Sequence, residues 1–337
     1  MASTRSVGSA VIKMQLRSRK RDFASSATVT STSSASSTNT PKRRAVKSKA
    51  TSMGAKAIGQ KVEVVAPTSS KFPVLSAFKE RVDHTSSDSK VLFKYSNLVP
   101  ARLIRRYKRF LADVVVTVYC PNTGPMIGLL DGLPNARVQL SKSDDPKRKY
   151  AYTLEMIQIH NGERNVWVGV HSTSANRMVE QALTSRWFPE LGAYDSVRRE
   201  VNFAKNSRVD FVLTTNNADG TVAHEKYVEV KSVTLALAGS EDTSRCAVFP
   251  DTVSTRAQKH VTELTELFGA IIFLVQRDDC NTFAPSIQHD KKFAELCAVA
   301  ATRGVQLLGY SCALEPDEAN TNGAVRLVGP LPLQSRD

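Results

Sequence analysis

Three residues in two short apolar segments carry the clearest chemistry in this sequence. Asp210 lies in the segment Ser207–Leu213 (SRVDFVL), and Glu229 and Lys231 lie in the segment Lys226–Leu235 (KYVEVKSVTL). Two carboxylates bind a hard divalent cation such as Mg²⁺ or Mn²⁺ through oxygen, and such a cation lowers the pKa of a bound water. A lysine nearby stabilises charge on a phosphoryl group. The set predicts metal-dependent cleavage of a phosphodiester bond, although a solvated ion pair on an amphipathic strand has the same spacing.

Both segments have the pattern of β-strands, in which successive side chains point to opposite faces. Glu229 and Lys231 are therefore predicted to share one face of their strand. In the preceding strand, Asp210 is predicted to lie opposite the face that carries Val209 and Phe211. Two neighbouring strands then bring the three polar side chains together.

Two further carboxylates are weaker candidates for the same metal. Residues 175–201 have the pattern of two helices (ANRMVEQALTSRWF and AYDSVRREV), with Glu200 at the end of the second. A helix-terminal ion pair is the alternative role for Glu200. Asp251 follows a proline at the start of another predicted helix, so a helix N-cap is the alternative role for this residue.

A loop is predicted from Leu235 to Asp251, and the apolar run Ala270–Gln276 is predicted to be a buried central strand of a mixed sheet with helices on both faces. The helix predicted between them, from Asp251 to Gly269, has an apolar stripe at i, i+4 spacing that begins at Val253, which is typical of a buried face. Its cations Arg256 and Lys259 fall on the other side, with His260 at the flank. They are predicted to hold phosphates near the metal. A solvated helix face is the alternative for all three, and a structural hydrogen bond is a further alternative for His260.

Upstream of these elements, residues 98–162 contain short strands separated by turns, the pattern of a small β-barrel. Cations stand beside aromatic residues in two places, a mixture that single-strand binders use to attract phosphate and stack bases. A solvated strand face with core aromatics is the alternative. The predicted nucleic-acid contacts are Arg105, Arg106, Lys108 and Arg109, followed by Lys147, Arg148 and Lys149.

The positive charge of the chain lies almost wholly at its N-terminal end. The formal net charge is +14, and residues 1–95 hold 18 Lys/Arg against 5 Asp/Glu, whereas residues 96–337 hold 28 against 27. The N-terminal composition, rich in Ser, Thr, Ala and Lys, predicts disorder. Its low acidic content fits an organellar transit peptide, and its basic clusters 17–21 and 42–49 fit a nuclear tail. The two predictions stand side by side.

Composition also excludes some classes. Five cysteines lie far apart with no CxxC pair, a pattern that fits a reducing, intracellular compartment and predicts neither a zinc site nor a disulfide framework. No apolar run approaches the length of a membrane span, so no membrane partner is expected. No small-molecule cofactor is indicated.

Several strings in residues 100–330 resemble the sugar fermentation stimulation protein (SfsA) family of bacteria. They are RYKRFLADV, CPNTGPM, KRKYAYTLE, ANRMVEQAL, SRVDFVL, YVEVKSVTL, FPDTVSTRAQKHVTEL and RGVQLLGY. The resemblance implies an OB-like barrel, a domain of the PD-(D/E)xK nuclease class, and non-specific DNA binding with a regulatory role. The long basic tail is foreign to the bacterial pattern and indicates a eukaryotic setting.

The resemblance also implies roles by position. Asp210, Glu229 and Lys231 match the nuclease-like motif, with Glu200 as an extra acidic position. Other motif positions are matched by Arg208, Phe249, Pro250, Asp251, Arg256, Lys259 and His260, of which Arg208, Arg256, Lys259 and His260 are predicted to contact nucleic acid.

We therefore predict an α+β protein. A disordered basic tail is predicted for residues 1–97, and an OB-like β-barrel that binds nucleic acid is predicted for residues 98–162. A mixed α/β sheet domain of restriction-endonuclease-like type follows in residues 163–330, and a C-terminal tail in residues 331–337. The predicted function is sequence-non-specific DNA binding with a Mg²⁺- or Mn²⁺-dependent endonuclease site. The alternatives are a non-enzymatic DNA-binding or regulatory protein and, with less support, an RNA-processing nuclease.

Overall fold

The computed structural model describes residues 90–334, apart from residues 131, 132, 134, 205, 206, 239–243 and 268. The predicted disorder and targeting of residues 1–89 lie outside this range and stay predictions. The helices are α1 (Ser174–Thr184), α2 (Thr255–Glu266) and α3 (Lys291–Thr302). The strands are β1 (Val91–Tyr95), β2 (Leu98–Arg102), β3 (Arg105–Tyr107), β4 (Leu111–Asp113), β5 (Thr117–Tyr119), β6 (Arg137–Lys142), β7 (Tyr152–His160), β8 (Asn165–Gly169), β9 (Ser196–Ala204), β10 (Ser207–Asn216), β11 (Val222–Val233), β12 (Leu235–Ala238), β13 (Arg245–Phe249), β14 (Ala270–Val275), β15 (Thr282–Pro285), β16 (Gln306–Asp317) and β17 (Asn322–Leu331).

The first sheet is built from β2 to β8, in the order β2-β6-β7-β5-β4-β3 with β8 paired to β7. Its inward side chains form one apolar core that includes Val118, Leu140, Leu154 and Val168. The predicted barrel boundary at residue 162 was wrong, because β8 pairs antiparallel with β7 and extends this unit to Gly169. A break at residue 162 would divide the β7–β8 hairpin.

The second sheet positions the candidate site. Its strand order is β1-β17-β16-β14-β11-β10-β9, and the neighbours β11, β14 and β16 run parallel. One apolar cluster covers the face that packs on α1, and a second covers the face that packs on α2 and α3. We call these the α1 face and the α2–α3 face. Helices on both faces of a mixed sheet were predicted, and the run Ala270–Val275 is buried throughout as expected.

The ends of the sheet domain differ from the prediction. Strand β1 pairs with β17, so order begins before residue 98, where the tail was predicted to end. Leu331 belongs to β17, and Phe283 N–H donates to the Pro332 carbonyl at 3.0 Å. The predicted C-terminal tail therefore begins later than residue 331. In both places backbone pairing with a distant strand supplies order that local composition does not indicate.

The second helix predicted before Asp210 was wrong. Residues 196–204 form the edge strand β9, which pairs antiparallel with β10. The arginines and Glu200 favour a helix locally, but pairing with a buried strand outweighs a helix preference of a few tenths of a kcal/mol per residue.

The loop predicted after Leu235 contains two strands, which was a second error. Strands β12 and β13 pair antiparallel, and β13 pairs in parallel with β15 to make a third sheet. The following helix begins at Thr255, later than predicted. Ser254 caps it by accepting the Ala257 N–H at 3.2 Å, and Val253, predicted to be buried, is exposed.

Two further sequence predictions concern cysteines and membranes. All five cysteines lie within the described residues, are buried and form no disulfide bond. Within residues 90–334, as far as they are described, no helix is long and apolar enough to cross a membrane.

Replacing Gly309 by alanine is expected to destabilise the sheet domain by about 1–3 kcal/mol. A Cβ at this position in β16 would lie 2.2 Å from Cδ1 of Phe283, and that ring is fully buried and has no room to move. The matched control is Gly329→Ala in the neighbouring strand β17, where a Cβ would meet nothing within 4 Å. Urea denaturation measures both variants, and an equal loss in both would contradict the steric explanation.

Candidate active site

Glu229 and Lys231 lie on β11, a central strand of the second sheet. They pair in parallel with Ile271 and Phe273 of β14, which places both side chains on the α2–α3 face. Only 5% of Glu229 and 9% of Lys231 is exposed. The prediction that they share a face is confirmed, and the solvated ion pair proposed as the alternative is excluded by this burial.

Asp210 lies where strand β10 changes the face that its side chains present. Val209 packs on the α2–α3 face, whereas Phe211 packs on the α1 face. The prediction that these two residues share a face was therefore wrong. The neighbouring strand changes face at the same point: Val197 packs on the α1 face and Val201 on the α2–α3 face. Between them Glu200 has a positive φ of 50°, a left-handed conformation that breaks the alternation.

The change of face frees the Asp210 carboxylate to bridge two elements. The pairing of β10 with β11 begins at Phe211 and Val228, one residue beyond Asp210. There the Asp210 side chain takes the place of a backbone acceptor, and its Oδ2 accepts the Val230 N–H at 2.8 Å. Oδ1 accepts from Asn176 Nδ2 of α1 at 2.7 Å. Asp210 is thus held beside Glu229 by β11 on one side and α1 on the other.

Glu229 has two partners, and both contact the same oxygen. Lys231 Nζ donates to Oε1 at 2.6 Å, and Nδ1 of His260, from α2, lies 2.6 Å from the same atom. No donor within the described residues reaches Oε2. The carboxylate is therefore fixed in orientation while one of its oxygens stays available for a further ligand.

The two carboxylates differ in their acidity. Burial raises the pKa of Asp210 and the negative charge of Glu229 raises it further, against the Val230 N–H and the Lys231 ammonium, which lower it. Burial alone would also raise the pKa of Glu229, but the Lys231 charge and the His260 hydrogen bond outweigh it and hold that pKa below its ordinary value. The charged form of Asp210 is therefore disfavoured in this site, whereas the charged form of Glu229 is favoured.

A hard divalent cation fits this donor set. Glu229 is buried and Asp210 is half-buried. The two carboxylates repel each other and keep oxygen lone pairs, which are the ligands that Mg²⁺ and Mn²⁺ prefer. Mg²⁺ commonly binds proteins through one or two carboxylates and keeps several waters, so this pair supplies the number of protein ligands that it uses. Among the described residues, no three His, Cys, Asp or Glu side chains are grouped to hold a metal ion.

Two recesses open onto these residues. The first, of about 300 Å³, is lined by Asn176, Val230 and Lys231 together with the segment 122–126 of the first sheet. The second, of about 620 Å³, is lined by His260 and by the cations Arg208, Arg256 and Lys259. We call them the loop recess and the basic recess. Lys231 is thus reachable from the loop recess, and His260, which contacts Glu229, is reachable from the basic recess.

Known proteins share both halves of this architecture. The family described as "SfsA N-terminal OB domain" matches residues 104–170, and "Sugar fermentation stimulation protein RE domain" matches residues 173–318. A sugar fermentation stimulation protein homolog of Acaryochloris marina is 44% identical over 67% of this chain and 91% of its own length. A homolog of Nostoc punctiforme is 40% identical over 70% and 98%. The chain belongs to the sugar fermentation stimulation protein family.

A solved structure of the family has the same fold. The SfsA of Pyrococcus furiosus, described in complex with Ca²⁺, superposes with a TM-score of 0.60 at 23% identity over 73% of this chain and all of its own. The predicted fold class is confirmed: an α+β chain with an OB domain followed by the second domain of the family.

The two weaker metal candidates of this family member lie outside the carboxylate pair. Glu200 is half exposed and pairs with Arg208 at 3.1 Å. It lies in a strand, so the predicted helix-terminal position was also wrong. Asp251 Oδ2 accepts the Met126 N–H at 3.0 Å and ties the helix approach to the first sheet. Ser254 provides the cap predicted for Asp251.

The cations of α2 separate into two groups. Arg256 and Lys259 are exposed, and Lys259 forms a 3.5 Å pair with Glu263. His260 is 7% exposed and contacts Glu229, which is the structural hydrogen bond considered as its alternative. Because it also lines the basic recess, His260 connects the surface cations to the carboxylates.

The first group of predicted barrel contacts is similarly divided. Arg106 donates to the carbonyls of Asn122, Gly124 and Pro125 at 2.8–3.0 Å, so its guanidinium organises a loop and is not free to hold phosphate. Arg105 pairs with Asp113 at 2.9 Å and stacks on the Tyr107 ring. Lys108 and Arg109 are exposed at the β3–β4 turn, both with positive φ.

The second group, Lys147, Arg148 and Lys149, is exposed on the turn between β6 and β7. Arg148 donates to Thr153 at 2.9 Å, and Lys149 lies 5.4 Å from the centre of the Tyr150 ring. These cations stay available at the surface of the OB domain.

Sequence reasoning missed two contributors to the site. Asn176 was placed on a helix without a role, although it holds Asp210. Asn122 and Gly124, which line the loop recess beside Lys231, were also not predicted as site residues. An asparagine on a helix that precedes the Asp210 strand is too common a pattern to identify Asn176 as a site residue. The contribution of Asn122 and Gly124 depends on the packing of the two domains, which the local sequence does not indicate.

Proposed function

We propose that this chain binds DNA without sequence preference and cleaves its phosphodiester bonds with the help of Mg²⁺ or Mn²⁺. The observation that carries the proposal is that the half-buried Asp210 lies beside the buried Glu229 and Lys231, with one oxygen of Glu229 left open. The Ca²⁺ named for the Pyrococcus furiosus SfsA supports a hard cation in this family. Intracellular DNA in an organelle or the nucleus is the expected target, and RNA is the less favoured substrate.

Each residue has a distinct role in the proposed reaction. Asp210 and Glu229 hold the cation, which supplies a water of lowered pKa and neutralises charge on the phosphate. Asn176 and the Val230 N–H orient Asp210, and His260 orients Glu229. Lys231 is placed to stabilise the charge that develops on the phosphoryl oxygens.

Metal binding gives a test that does not depend on activity. Saturating Mn²⁺ is expected to raise the melting temperature by about 5 °C, because a ligand that binds only the folded state stabilises it. Asp210→Asn removes a ligand charge and is expected to abolish the shift. Asp144→Asn, at an exposed position, is the matched control and keeps it. An unchanged melting curve for the wild type would argue against the metal site.

Cleavage is then measured on plasmid DNA with Mg²⁺ or Mn²⁺, comparing the wild type with Glu229→Gln. Nicking that is lost in the variant, with DNA affinity retained, supports the proposal. Salt-sensitive DNA binding without cleavage by the wild type would instead support the non-enzymatic alternative.

DNA binding is expected to be salt dependent through the basic recess. Arg256→Ala and Lys259→Ala are each expected to reduce the slope of log affinity against log salt by about 0.9, because each removes one phosphate contact. Lys292→Ala, an exposed cation of α3, controls for net charge. Fluorescence anisotropy across a salt series measures the slopes, and equal slopes in all three variants would place the DNA elsewhere.

A further inference from the structure

The loop recess ends at the proposed catalytic residues. Lys231, which contacts Glu229, lies on its floor, and so do Asn176 and Val230, which both bind Asp210. Whatever occupies this recess is therefore adjacent to the reacting phosphate of the proposed reaction.

The wall of the recess that comes from the first sheet is rigid. Arg106 donates to three carbonyls of the segment 122–125. The Asn122 side chain accepts the Gly124 N–H at 2.9 Å and donates to the Val170 carbonyl at 3.1 Å. With its loop fixed by so many hydrogen bonds, the recess exists before any ligand arrives, which lowers the ordering cost of binding.

The opposite wall is attached to the first by Asp251. Its Oδ2 accepts the Met126 N–H, and a Cβ at Gly124 would lie only 2.9 Å from the same oxygen. A larger residue at position 124 would therefore have to displace the Asp251 carboxylate. This carboxylate leaves an acidic group in the wall of the recess.

The size and lining of the recess select the ligand. A volume of about 300 Å³ is at the lower limit of small-molecule sites and admits a single nucleotide but not a duplex. The hydroxyls of Thr123 and Thr252 line it and are exposed, and within the described residues neither has a hydrogen-bond partner. The Asp251 carboxylate repels phosphate and accepts hydrogen bonds from base amino groups.

The phosphate backbone has its own place in the basic recess. Arg208, Arg256 and Lys259 line that recess, which reaches the carboxylates through His260. The two recesses share no lining residue. The phosphates of a bound strand can therefore lie in the basic recess while one of its bases occupies the loop recess.

We propose that the loop recess holds one unpaired nucleotide next to the scissile phosphate, so that the substrate is single-stranded or locally unpaired nucleic acid. This inference rests on the proposed function, since it names the substrate class of the same site. An enzyme that takes one nucleotide into a narrow pocket must first unstack it, and unpaired nucleotides make that step least costly.

The test compares single-stranded, bubble-containing and blunt duplex DNA of the same sequence. With Mn²⁺, the full-length wild type is expected to cut the first two about tenfold faster than the duplex, since an unpaired nucleotide enters the recess without the cost of unpairing. Thr252→Trp and Thr123→Trp fill the recess from exposed positions and are expected to remove this preference. Thr302→Trp, at an exposed position on α3, is the matched control and retains it.

Binding in Ca²⁺ separates the two proposals. Anisotropy of a labelled single strand and of its duplex is expected to show a similar preference, which Thr252→Trp removes. Equal affinity for both, or a preference that both recess variants keep, overturns the inference. If no substrate is cut with either Mg²⁺ or Mn²⁺ but the single-strand preference depends on the recess, the proposed cleavage fails while the assignment of the recess stands.

Discussion

Lys231→Met is expected to slow DNA cleavage by about 10²–10³-fold, the cost of removing one preorganised group that stabilises transition-state charge. Methionine keeps the volume of the buried side chain but has no ammonium. Since Lys231 lies on the floor of the loop recess and not among the surface cations, DNA affinity is expected to change little. Single-turnover cleavage and anisotropy measure the two quantities.

The variant also leaves Glu229 with one donor instead of two. His260 still contacts its Oε1, so the protein is expected to fold with a lower melting temperature, and cleavage is compared well below it. Lys292→Met, at an exposed position of α3, controls for loss of a positive charge. Cleavage by Lys231→Met at the wild-type rate would remove Lys231 from the mechanism.

Asp279→Asn is expected to destabilise the protein by about 3 kcal/mol or more, because it leaves a buried arginine without its counter-charge. Arg277 donates to both Asp279 oxygens at 2.6 and 2.8 Å, and the two side chains are only 5% and 3% exposed. Asp278→Asn is the matched control next to it: its carboxylate is 25% exposed and pairs with the exposed Arg164. A surface pair contributes about 0–1 kcal/mol, which urea denaturation distinguishes from the larger loss.

The same pair gives the stability a dependence on pH. Burial alone would raise the pKa of Asp279, but the hydrogen bonds and charge of Arg277 outweigh it and lower that pKa. A carboxyl with a depressed pKa stabilises the fold fully above its unfolded pKa of about 3.9 and loses this contribution as the pH falls towards its folded pKa. The difference in unfolding free energy between wild type and Asp279→Asn is therefore expected to shrink below about pH 4. A difference that stays constant would contradict the assignment.

The sequence predicted the parts of the site that local periodicity controls. The two-residue spacing of Glu229 and Lys231 in an apolar strand predicted their shared face, and the apolar run Ala270–Val275 predicted the buried neighbour that holds it. The resemblance of longer strings predicted the two-domain order and the fold class. The site was therefore predicted most accurately where side-chain spacing and strand burial agree.

What the sequence did not predict depends on pairing between distant segments. Strand β9 has a helical composition, but its partner β10 imposes an extended backbone. The change of face at Asp210 lies beside Glu200 of the neighbouring strand, which has a left-handed φ, and a strict alternation of side chains predicts neither feature. The role of Arg106 requires a loop sixteen to nineteen residues downstream to fold back on it. Such features belong to tertiary structure and leave little local signal.

Because all five cysteines are buried, the reaction of their thiols with an added reagent reports local opening of the fold. Cys120 lies in the core of the OB domain, and Cys246, Cys280, Cys297 and Cys312 lie in the domain that follows. Burial raises the pKa of Cys120 and raises that of Cys280 to about 12, so the reactive thiolate is scarce while the chain is folded. A thiol reagent therefore modifies the three fully buried cysteines, Cys120, Cys297 and Cys312, only when their surroundings open. Mass spectrometry of the alkylated protein then gives the order in which the two domains open, without any introduced probe.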